Sequence, residues 1–158
     1  MRSPLIWHNP HVTTGRVLIE AKPLTLIDSY RQDSPDKPES GGILLGYRRG
    51  EHLHVTMATT PQHSDRGWRH LFKRSARYHQ EIALRQWNAS EKTMDYLGEW
   101  HTHPQRLPSP SATDLSEWRK ICDLRQVPMV FLIMGWNGEL WMGLSKRVEI
   151  KQCISIST

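Results

Sequence analysis

Two runs of the chain carry residue types that could do chemistry together: Gly98-Glu99-Trp100-His101-Thr102-His103-Pro104 and Pro110-Ser111-Ala112-Thr113-Asp114. On a strand, alternate side chains share a face, so His101 and His103 point the same way, roughly 6–7 Å apart along the chain. Two imidazoles at that spacing can converge on one ion. Pro104 then ends the ladder, because it has no N–H to give. A loop leads to Ser111, well placed as the N-cap of a helix, which puts Asp114 at the third helical position. A carboxylate there is the third ligand a catalytic zinc needs, with the fourth position left for water. Two plainer readings stand beside this one. Ser-x-x-Asp also completes a capping box, and paired histidines on a strand are often surface or core residues.

Spacing alone does not choose between them, because the chain contains a second copy of it. His52-Leu53-His54 precedes Asp65 by the same ten residues (55–64) that separate His103 from Asp114 (104–113). There Val55 continues the strand where the first run has Pro104. Gln62 puts no hydroxyl three residues before the acid, and Gly67 follows closely, so no helix start is visible. We expect this copy to bind no metal.

The elements that must position the first run are legible from patterning. Arg16 to Glu20 reads as a strand, and a helix is expected to open at Pro23, which a first turn tolerates, and to end near Arg31. Gln32 to Ser40, rich in Asp, Ser and Pro, reads as a surface loop. Gly41 to Arg49 and His52 to Thr59 read as strands joined at Gly50-Glu51. Thr60 to Lys73 reads as a long irregular insertion, and Arg74 to Asn88 as a helix, with Tyr78, Ile82, Leu84 and Trp87 in a loosely helical pattern. Met94 to His103 is expected to be a strand and Ser111 to Asp123 a helix. Met129 to Met134, Glu139 to Leu144 and Val148 to Ile156 are expected to be three closing strands, the first two joined through Asn137-Gly138. The class is α/β, a mixed sheet with flanking helices. Trp100 and Trp118 are expected in the core.

His-Thr-His-Pro, a run ending Pro-Ser-x-x-Asp, and the upstream Pro38-Glu39-Ser40-Gly41-Gly42-Ile43-Leu44-Leu45-Gly46 together resemble the JAB/JAMM (MPN) domain of zinc metallopeptidases, over about Val17 to Leu144. The resemblance implies a mostly antiparallel curved sheet of the cytidine-deaminase-like kind. It also implies Zn2+ held by His101, His103 and Asp114, with Glu39 as general base and Ser111 as a hydroxyl that steadies the oxyanion. Glu99, two residues before His101 and on its face by alternation, competes with Glu39 for the base role. Its other reading is a partner that orients an imidazole. In this family an insertion like Thr60 to Lys73 often holds the substrate's extended tail.

Within the family, the short length and the Gly-Glu-Trp-His-Thr-His-Pro wording resemble JAB proteins encoded in bacterial CBASS antiphage operons. These sit beside a ubiquitin-transfer-like enzyme and a cyclic-nucleotide synthase. That implies an isopeptidase cutting after the tail of the conjugated synthase, or after a ubiquitin-like protein. The alternatives are a metal-free MPN-type scaffold that binds partners, and a peptidase processing a ubiquitin-like or sulfur-carrier precursor.

Composition bounds the rest. The 158 residues, 37% hydrophobic and 23% charged, suit one globular domain, expected to span 1–158. No apolar run approaches the ~20 residues of a membrane span, and no leader is visible, so we expect a cytoplasmic protein and no membrane partner. Cys122 and Cys153 lack a Cys-x-x-Cys neighbour and are expected to be reduced, semi-buried thiols. The net charge of +5 raises nucleic-acid binding, but the basic residues come in pairs at most, spread along the chain. Arg66 to Arg77 is the nearest thing to a patch, and we expect no nucleic-acid partner.

Overall fold

The structure, a computed structural model, describes residues 1–61, 66–68, 71–73 and 76–156. The chain runs β1 (Leu5–His8), β2 (Arg16–Ile19), α1 (Ala21–Asp28), β3 (Gly41–Arg49), β4 (His52–Ala58), β5 (Arg66–Trp68), β6 (Leu71–Lys73), α2 (Ala76–Ala89), β7 (Asp95–Thr102), α3 (Ala112–Arg125), β8 (Val130–Met134), β9 (Leu140–Lys146), β10 (Glu149–Gln152) and β11 (Ile154–Ser155). A nine-stranded sheet takes the order β10-β9-β8-β7-β3-β4-β2-β1-β11. Two of its pairings, β2 with β4 and β7 with β8, are parallel; the others are antiparallel. The expected mixed α/β class holds. β10 and β11 stand at opposite ends of the order yet only Cys153 separates them, so the sheet curls towards a barrel.

Several boundaries shift for physical reasons. The helix expected at Pro23 begins at Ala21, since the first-turn amides need no helical partner and Pro23 fits there. It ends at Asp28 because the chain tightens into three-residue turns, with Tyr30 N–H on Ile27 O and Arg31 N–H on Asp28 O. The strand expected over Val148 to Ile156 divides at Cys153: its N–H still bonds Met142 O of β9, while Ile154 and Ser155 pair with β1. Thr60 to Lys73 is not wholly irregular: its backbone contains the antiparallel pair β5 and β6, while 62–65 and 69–70 lie outside the described residues. β1, which the sequence did not announce, pairs with both β2 and β11.

Apolar packing covers the sheet on two faces. Trp100, Leu132, Val130 and Met134 pack with Leu24 and Ile27 of α1, and Phe131 and Ile133 pack with Trp118 and Cys122 of α3. β8 (VFLIM) is therefore buried at every position, as expected of a strand covered on both sides. Both expected core tryptophans are there, 1% and 3% exposed. Cys122 and Cys153 are free and buried, and burial pushes the Cys153 thiol up to about 12, as suits inert apolar packing. Among the described residues no helix is long and apolar enough to cross a membrane.

Candidate metal centre

β7 alternates strictly at its end. Trp100 and Thr102 turn to the α1 side and His101 turns to the α3 side, where its ring packs 5.7 Å from that of Trp118. His103 stays in extended register because its N–H takes Met134 O at 2.9 Å, one step past the assigned strand. Pro104 follows, and the ladder stops. Ser111 caps α3 as expected: its hydroxyl accepts Asp114 N–H at 3.0 Å, and Asp114 Oδ2 accepts Ser111 N–H at 2.9 Å. The capping reading of Asp114 is thus correct, and it does not displace the other one. The cap holds the carboxylate so that the same Oδ2 faces both imidazoles.

The three groups form a near-equilateral triangle. His101 Nε2 lies 3.0 Å from His103 Nε2, and Asp114 Oδ2 lies 3.4 Å and 3.2 Å from the two. Ligands about 2.0–2.1 Å from a tetrahedral ion are separated by about 3.3 Å, so the donor set fits zinc without rearrangement. Glu39 is 5% exposed, and its Oε1 lies 3.9 Å from His103 Nε2. Glu39, His101 and His103 also offer ligand atoms within 4.8 Å of one another. The Asp114 distances match the tetrahedral edge better, and Glu39 stands farther back.

The electrostatics follow from this packing. Burial pushes the Glu39 carboxyl up to about 8, with Asp114 adding to the rise and His103 opposing it. Burial acts against the Asp114 carboxylate too, but hydrogen bonds from His101, His103 and the Ser111 N–H outweigh it and hold the group well below the usual range. For His103, burial favours the neutral ring, yet contacts with Asp114, Gln105 and Glu39 win and raise its pKa.

Three positioning residues were not visible in the sequence reading. Thr102 N–H bonds to Ser40 O (2.9 Å), and Ser40 N–H to Thr102 Oγ1 (2.9 Å), so the residue between the histidines grips the one after Glu39. Thr102 Oγ1 in turn donates to Gln32 Oε1 (3.2 Å), and Gln32 Nε2 to Lys37 O (3.2 Å), which closes the expected 32–40 loop on itself. Gln105 Oε1 meets His103 Nδ1 at 2.9 Å. Only Thr102 carried a signal, its place between two candidate ligands. Glu99 accepts the Tyr96 hydroxyl at 3.4 Å. In the second His-x-His copy, His52 Nδ1 accepts Arg16 N–H (3.0 Å) and His54 Nε2 lies 2.6 Å from Glu20 Oε1; Asp65 lies outside the described residues.

Residues 25–145 match the family described as prokaryotic homologs of the JAB domain. The chain is 40% identical to a protein of Pseudomonas aeruginosa over 78% of its own length and 81% of the relative. It is 39% identical to one of Vibrio cholerae (83% of each) and 35% identical to one of Escherichia coli (87% of each). All three bear the name CD-NTase/cGAS isopeptidase. A solution structure of a Desulfitobacterium hafniense protein superposes with a TM-score of 0.60 over 85% of this chain and 87% of that one, at 21% identity, which speaks for the fold.

Proposed function

The chain belongs to the prokaryotic JAB-domain family, and from that we propose that it is a zinc-dependent isopeptidase that removes a conjugated protein from its targets. The substrate is a cyclic-nucleotide synthase of the kind its relatives are named for, attached through its C-terminal tail. The observation that carries this reading is the 3.0, 3.2 and 3.4 Å triangle of His101, His103 and Asp114, with the buried Glu39 carboxylate beside it.

His101 Nε2, His103 Nε2 and Asp114 Oδ2 would hold the ion. When bound, zinc supplies a Lewis acid that acidifies water and polarises the scissile carbonyl. Glu39, held 3.9 Å from His103 Nε2, takes the proton of the attacking water and hands it to the leaving amine. The Ser111 hydroxyl, which only accepts within the helix cap, keeps its hydrogen to donate to the developing oxyanion. The Thr102–Ser40 pair of hydrogen bonds fixes the base against the ligands.

The test is a fusion in which the synthase, with its tail intact, precedes a reporter. The enzyme should cut after the tail, a chelator should stop it, and added zinc should restore it. Removing a few tail residues should abolish cleavage. Equal digestion of unstructured casein would replace the deconjugase by a general peptidase.

A further inference from the structure

A histidine that binds a metal through Nε2 must carry its proton on Nδ1, and something must hold it there. For His103 that neighbour is Gln105, whose Oε1 lies 2.9 Å from Nδ1. The amide's orientation is decided by a second donor: the Ser109 backbone N–H points at the same atom from 3.3 Å. An NH2 group could accept from neither, so the atom is the oxygen, and the ring nitrogen facing it is the one that donates. Gln105 is itself fixed from behind. Trp136 N–H takes Gln105 O at 2.9 Å, and a Cβ on Gly135 would meet that oxygen at 2.6 Å, so the β8–β9 turn grips the backbone of this residue.

We propose that Gln105 is a positioning residue, set by the β8–β9 turn, that locks His103 as the Nδ1–H tautomer and so presents its Nε2 lone pair to the ion. This rests on the zinc reading of the site. The two histidines are then held by different means: His101 by ring packing on Trp118, His103 by a directed hydrogen bond. Because Gln105 is exposed, its side chain can be exchanged with little effect on folding.

The test compares Gln105→Met, which keeps the length and loses the acceptor, with Gln105→Glu, which keeps an acceptor. Zinc affinity is measured by competition with a chromophoric chelator. The His103 tautomer is read in zinc-free protein from imidazole 15N shifts, at a pH where the ring is neutral. Gln105→Met should bind zinc about tenfold more weakly, the low end for loss of such a partner because water can reach the ring, and should shift the neutral ring towards the Nε2–H form, in which Nε2 donates to Asp114. Gln105→Glu should stay near wild type on both readouts. The proposal is overturned if Gln105→Met keeps the Nδ1–H form and wild-type affinity, or if both variants weaken alike. Failure of the zinc reading looks different: His101→Ala would then bind zinc as wild type does, while the tautomer of zinc-free protein still judges Gln105.

Discussion

Replacing Glu39 by Gln removes a titrating proton from the centre while hardly changing its shape. Burial pushes the Glu39 carboxyl up to about 8, so in zinc-free protein at pH 7 it is mostly protonated. Its Oε1 lies 3.9 Å from a ligand nitrogen. At such distances and an effective dielectric of about 20, each unit of positive charge is worth about 4 kcal/mol, or roughly three pKa units. Zinc should therefore strip the proton from Glu39 as it binds. Glu39 also helps to raise the His103 pKa, so the variant should release no more protons from that ring than wild type does. Glu39→Gln should thus release fewer protons per zinc at pH 7, by about one, measured by titration calorimetry in buffers of different ionisation enthalpy. It should keep zinc and lose about 100- to 10,000-fold in cleavage. Glu99→Gln, whose carboxylate bonds to Tyr96, should leave both proton release and turnover in place. Equal proton release by wild type and Glu39→Gln would refute the reasoning. Loss of zinc from Glu39→Gln would make that residue a ligand.

His101→Ala and Asp114→Ala should each lose most of the metal, and His54→Ala should lose none, by metal analysis of purified protein. Thr102→Val removes the acceptor of the part-buried Ser40 N–H and should cost about 1 kcal/mol in denaturant unfolding, lowering kcat while zinc content is kept. Above about pH 4.5 the zinc-free protein should lose stability as pH rises. Glu39 and His103 both have folded pKa values above their unfolded ones, so their contribution is present at low pH and fades as pH climbs, for Glu39 between about 4.5 and 8. Glu39→Gln should flatten that slope in thermal melts.

What could be read from the sequence is what is local. His101 and His103 share a face because they are two apart, and Ser111 and Asp114 meet because they are three apart across a helix start. Neither relation needs the rest of the fold. Glu39 is 62 residues from His101 (101 − 39), and only its Pro-Glu-x-Gly-Gly wording marked it. Gln32 and Gln105 carried no mark. One acts across a turn of loop that patterning leaves unspecified, the other through the β8–β9 turn. β1 escaped because Leu5–His8 is a strand only by virtue of partners at Arg16–Ile19 and Ile154–Ser155. The split at Cys153 is likewise invisible in an alternating run, since it is set by which neighbours the two halves find.

That split has a dynamic consequence. Residues 149–155 bond to β9 on one side of the break and to β1 on the other, as a hasp across a seam. The N-terminal segment reaches across the same seam: His11 Nε2–H donates to Leu144 O at 2.8 Å, and Arg2 Nη1 to Gly138 O at 3.1 Å. Strands from the two ends of the chain are thereby joined into one cooperative unit. The β11–β1 register is only two residue pairs long, so it is the place where a sub-global opening costs least. Amides of β1 and β10 should then exchange with solvent together, ahead of β7 and β8, leaving the strand that carries His101 shielded while the seam breathes.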